Sequence, residues 1–104
     1  MGLSHRKICE RARAKWDAAS KTFCDWAIAN GYGNVRRSDL ESALANEPEG
    51  LRLLSADIQT SEALRQAESD AVSAGHAWRG TFGMVVWYSP SEVRRHTARR
   101  RKHA

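Results

Sequence analysis

The chain has 104 residues, of which 41% are apolar and 28% charged, and it carries four tryptophans. That suits one domain with a modest core and excludes a disordered polyelectrolyte, which would be poor in aromatics. The net charge is +5, but no apolar run nears the roughly 18 residues that cross a bilayer, and the N-terminus has no apolar signal core; a cytoplasmic protein with no membrane partner is expected.

The first predicted element is a helix over residues 4–30. Cys9, Ala12, Trp16, Ala19, Phe23, Trp26 and Asn30 alternate spacings of three and four and so share one stripe. Lys7, Arg11, Lys15, Asp17, Lys21 and Asp25 fall mostly off it. Ser4 is placed to cap the start, Leu3 and Ile8 occupy the two staple positions, and Asn30-Gly31 supplies the stop. On this helix Cys9 and Cys24 lie about 22 Å apart, beyond the roughly 7 Å limit of a disulfide, so two thiols in a reducing compartment are expected.

Residues 31–37 read as a loop. Ser38 and Glu41 have capping-box spacing, which predicts a short helix with Leu40, Ala43 and Leu44 facing inward, ended by Pro48 and Gly50. A second long helix is predicted over 51–74. Its stripe runs Leu53, Asp57, Thr60, Leu64, Ala67, Ala71, Ala74 and Trp78, widened by Leu54 and Ile58. The alanine-rich half would let the tryptophans of the first helix pack closely, and Gly75 is the expected stop.

Glycines at 75, 80 and 83 then argue against helix, and Met84–Tyr88 is a β-type run. Such a strand needs a partner: residues 31–36, another chain, or a buried extended path are the alternatives, and the run could instead be the first turns of the last helix. Ser89-Pro-Ser-Glu92 is a second capping box, with proline at the favoured first position, and a basic helical arm should follow. The expected fold is mainly α: a small bundle of two long antiparallel helices and a short one, with a C-terminal extended segment. Residues 1–88 form the helical domain and 89–104 the arm.

Charge is blocked along the chain. Residues 1–37 balance to +5, 38–74 to −6 and 75–104 to +6. In the last block Arg94, Arg95, Arg99, Arg100, Arg101 and Lys102 fall within nine residues. Such clusters neutralise phosphates and release condensed counterions, which points to DNA or RNA. Arg79 stands among Trp78, Phe82, Trp87 and Tyr88, a mixture that can stack unpaired bases or serve as a core or partner surface. The arm lacks the bulky apolar face of an interfacial helix.

Other chemistry is poorly supported. Arg36 and Arg37 precede a short helix in helix-turn-helix order, but Asp39, Glu41, Glu47 and Glu49 on it would repel phosphates. His5 and Cys9 make half a metal site, and no second short-spaced pair completes it, so no metal or cofactor is expected. No phosphate loop or local catalytic motif is present. The expected function is a non-catalytic accessory protein whose arm contacts nucleic acid, alone or within a larger nucleoprotein assembly. The alternative is a small inhibitor or adaptor of the phage or mobile-element anti-defence kind. Its acidic face of Asp39, Glu41, Glu47, Asp57 and Glu62 would occupy a basic surface on a protein target.

Overall fold

The structure is a computed structural model in which residues 2–95 are described. Helix α1 spans His5–Ala29, a 3-10 turn Arg37–Asp39 leads into the short α2 at Leu40–Ala43, and α3 spans Pro48–Ser73. Strands β1 (Ala77–Arg79) and β2 (Val85–Trp87) come next as an antiparallel pair. The chain is mainly helical, as expected. It divides into two compact units: a central one, Ala12–Leu64, and a terminal one, Met1–Arg11 with Arg65–Ala104.

Both long helices start and stop for local reasons. The Ser4 hydroxyl accepts the Lys7 N–H at 3.2 Å and caps α1. Leu3 and Ile8 stay largely exposed, so they form no buried staple. At the other end Tyr32 N–H reaches the Ala27 carbonyl at 2.7 Å and Gly31 N–H that of Ile28. His76 and Gly75 repeat the pattern on Ala71 and Val72 at the end of α3. These are paired Schellman closures, and they require the left-handed backbone that Gly31 (φ 85°) and Gly75 (φ 81°) adopt.

Two predicted boundaries are corrected. Ser38 does not cap α2. It lies inside the 3-10 turn, with extended Arg36 before it, so its backbone is already helical and no side-chain cap bond forms. Pro48 does not end the short helix but opens α3, three residues before the predicted start. Proline is well suited there, because the first-turn N–H it lacks has no partner within a helix.

In the central unit α1 and α3 pack against each other. Phe23, Ala27, Leu40, Leu44, Leu53 and Leu54 form the buried cluster, with Trp26, Tyr32, Val35, Leu51 and Ile58 against it. Leu40 and Leu44 point inward as expected, whereas Ala43 is exposed. The helices run antiparallel: Trp16 Nε1 donates to Asp57 Oδ1 at 2.8 Å, and the Trp26 ring covers Gly50 so closely that any side chain there would strike it. Trp26 also stacks on Tyr32, centroids 5.7 Å apart and planes 5° off parallel. The tryptophans therefore meet the N-terminal half of α3, not its alanine-rich half. Bare backbone at Gly50 and an acceptor at Asp57 suit an indole better than alanine does.

The terminal unit has a thinner interior of small side chains: Cys9, Ala67, Ala71 and Ala77 are buried. The β-type run finds its partner eight residues upstream rather than in 31–36. Ala77, Trp78 and Arg79 pair with Trp87, Val86 and Val85. Gly80 N–H to the Met84 carbonyl at 2.7 Å closes the turn, and Tyr88 N–H to the His76 carbonyl at 3.0 Å extends the ladder.

Candidate functional site

The hairpin and the start of the arm carry the exposed chemistry of the terminal unit. Strand side chains alternate between faces. Ala77 is 2% exposed and its cross-strand partner Trp87 is half-buried, which defines the inner face. Trp78 and its partner Val86 therefore share the outer face. There Trp78 is 44% exposed, and Phe82, in the turn, is 91% exposed. Met84 and Val86 add exposed apolar surface. The Trp78 ring and a Val86 methyl both lie near Gly80.

The helical stripe places Trp78 at the end of α3; it instead sits on a strand and faces solvent, because Gly75 has already closed the helix. Trp87 and Tyr88 are half-buried. The Arg6 guanidinium lies 6.0 Å from the Trp87 ring centroid, at the outer limit of a cation–π contact. Arg79 is exposed and folds back on the turn, where Nη1 donates to the Gly83 carbonyl at 3.2 Å.

The predicted cap at the start of the arm is formed. Ser89 N–H donates to Glu92 Oε1 at 3.1 Å and Glu92 N–H to the Ser89 hydroxyl at 3.3 Å, so each satisfies the other's backbone. Residues 90–95 are helical, and Arg94 and Arg95 on that turn are exposed. Arg99, Arg100, Arg101 and Lys102 lie outside the described residues. By sequence the terminal unit has a net charge of +7 and the central unit −2.

The proposed acidic face is not assembled as expected. Asp57 is 1% exposed and is a core residue. Its Oδ1 takes the Trp16 indole N–H, and Oδ2 lies 3.9 Å from Arg37 Nη1. Its place on the apolar stripe of α3 is the signal for burial, since a carboxylate on a core-facing stripe needs a donor and an indole supplies one. Glu47 is half-buried and accepts the Tyr32 hydroxyl at 3.2 Å. Burial, and then this hydrogen bond, raise the Tyr32 phenol above its ordinary pKa. Asp39, Glu41 and Glu62 remain at the surface, Glu62 and Glu41 without a place in the core. Glu41 borders a shallow groove of about 430 Å³ lined by Leu51, Leu54, Ser55, Ile58 and Gln59.

Arg37, considered for a helix-turn-helix, is instead aimed at Asp57, and α2 is only four residues long. Among the described residues no group of three or more His, Cys, Asp or Glu side chains is placed to hold a metal. His5 does meet a histidine, however: its ring lies 4.8 Å from that of His76. Spacing along one helix could not show that pair, since the two residues are 71 positions apart in sequence. Cys9 is buried and Cys24 exposed, and they are not joined. No described helix is long and apolar enough to cross a membrane. No protein-family model, curated protein or solved structure matches the chain.

Proposed function

We propose that this protein is a non-catalytic nucleic-acid-binding module, acting alone or within a nucleoprotein assembly, whose affinity resides in the terminal unit. The observation that carries this reading is the charge division: +7 in the terminal unit against −2 in the central one. A polyanion gains from the first and is weakly repelled by the second. The formed cap at Ser89 supports the same reading, because it starts a helix on which Arg94 and Arg95 are exposed. The acidic-inhibitor alternative draws less support, because Asp57 is buried and Glu47 is engaged by Tyr32.

The test compares the full chain with one ending at Val93, using fluorescence polarisation on labelled DNA and RNA across a salt series. The full chain should bind at low salt and weaken steeply as salt rises. If all six basic residues of 94–102 meet duplex phosphates, log K should fall with a slope of about −5 against log salt. The truncated chain should lose most of the affinity. Absence of binding by the full chain at low salt would refute the proposal.

A further inference from the structure

A basic arm alone does not discriminate between a duplex and a single strand, since both offer phosphates. The hairpin does. Trp78 and Val86 share the outer face, Phe82 stands 91% exposed in the turn, and Met84 is exposed beside it. Such rings cost hydrophobic free energy when left in water, and a clustered exposed apolar patch marks an interaction surface.

Charge selects among occupants. A second copy of this chain would bring two terminal units of +7 together, and like charges oppose that pairing. A partner that is both anionic and flat-faced fits both properties of the surface. Bases in a duplex are stacked on one another and show only their edges in the grooves. Unpaired bases expose their π-faces and can lie on aromatic rings while arginines hold the adjoining phosphates.

Resting on the nucleic-acid reading, we infer that the outer hairpin face is a stacking platform for single-stranded nucleic acid, with Trp78 and Phe82 taking bases and Arg94 and Arg95 taking phosphates. Arg79 has a second role. Its hydrogen bond to the Gly83 carbonyl braces the turn that carries Phe82, and its remaining N–H groups can still meet a phosphate. The arm supplies attraction for any nucleic acid, and the platform supplies the preference for unpaired bases.

The experiment measures affinity of the full chain for a labelled thymidine oligonucleotide and for a mixed-sequence duplex at one salt concentration. Phe82→Ala is the primary variant, because a side chain this exposed contributes little to folding. It should weaken single-strand binding roughly 5- to 100-fold and leave duplex binding within about twofold. Trp78→Ala should act in the same direction, and Phe82→Tyr, which keeps a ring, should retain affinity. Arg94→Glu with Arg95→Glu should weaken both ligands together.

The inference is overturned if Phe82→Ala leaves single-strand affinity unchanged, or if both ligands weaken by the same factor; the underlying nucleic-acid reading survives either result. That reading itself falls if the unaltered chain binds neither ligand. A concentration-dependent dimer in sedimentation that Phe82→Ala dissolves would also overturn the inference, in favour of a second copy as the occupant.

Discussion

In the central unit the large aromatics are buried in the core or packed half-buried against the elements that build it. Trp16 gives its N–H to Asp57, Trp26 stacks on Tyr32 and covers Gly50, and Phe23 is buried among leucines. In the terminal unit the buried side chains are small, and the large ones are left half-buried or outside: Trp87 and Tyr88 in part, Trp78 and Phe82 more so. The first arrangement commits its aromatics to stability. The second leaves hydrophobic area in water beside arginines, and that surplus is what a binding surface requires. Substitutions in the central unit should therefore read out as stability, and those on the outer hairpin face as affinity.

The largest effects should come from truncations inside the central cluster, Leu44→Ala among them. Leu44 is fully buried in the central cluster, and such truncations cost about 2–5 kcal/mol through lost transfer energy and the residual cavity. Urea denaturation followed by tryptophan fluorescence measures it. Loss of less than about 1 kcal/mol would mean that the central core is loosely packed, and the contrast between the units would fail. Asp57→Ala comes next, at about 2–3 kcal/mol, because it leaves the Trp16 indole N–H without its acceptor. Asp57→Asn retains an acceptor oxygen and should cost less. It gives up the charge that strengthens the Trp16 hydrogen bond and the 3.9 Å approach of the well-exposed Arg37.

Those two sites also show what the sequence can and cannot reveal. The caps at Ser4 and Ser89 and the stops at Gly31 and Gly75 are legible, because each depends on a few neighbouring residues. The stripe of α1 is legible from its spacing, apart from Asn30, which is exposed and turns its amide back to the Trp26 carbonyl. Ser38 and Pro48 mislead because local signals compete: a serine before an acid suits a cap, and a proline suits either end of a helix. The hairpin partner of 85–87 is not legible, since three residues on either side of a turn carry too little pattern to choose among partners. Nor is the outer face of the hairpin. Trp78 and Phe82 resemble core residues in composition, and only the register with Val86 and the turn at 80–84 show which side meets water. Asp57 fits both a core-facing stripe and an exposed acidic face in sequence. A buried carboxylate with an indole donor resolves that conflict.

Gly50→Ala tests the closeness of the central packing. The added methyl would fall on the Trp26 ring, and overpacking of this kind costs about 1–3 kcal/mol. Alanine is otherwise the better helix former, so a stabilised variant would show that Trp26 can move aside. Ser89→Ala removes the hydroxyl that accepts the Glu92 N–H and should cost about 1 kcal/mol locally. Amide exchange at Glu92 and Val93 should quicken while Leu44 and Leu53 are unaffected. Equal acceleration at all four would mean that the cap supports more than the start of the arm.

The smallest stability effect should belong to Phe82→Ala, and its smallness is informative. A side chain 91% exposed has little burial to lose, so global stability should shift by no more than about 0.5 kcal/mol. Phe23→Ala is the matched control: the same chemical change in the central cluster, where Phe23 is 5% exposed, should cost about 3–5 kcal/mol. Measured together by urea denaturation, the pair isolates environment from residue type. If Phe82→Ala proved as costly as Phe23→Ala, the turn would be a packed element and the hairpin face would have no surface to offer a ligand. If it costs almost nothing and still weakens single-strand binding, the exposed ring is held out for a partner rather than for the fold.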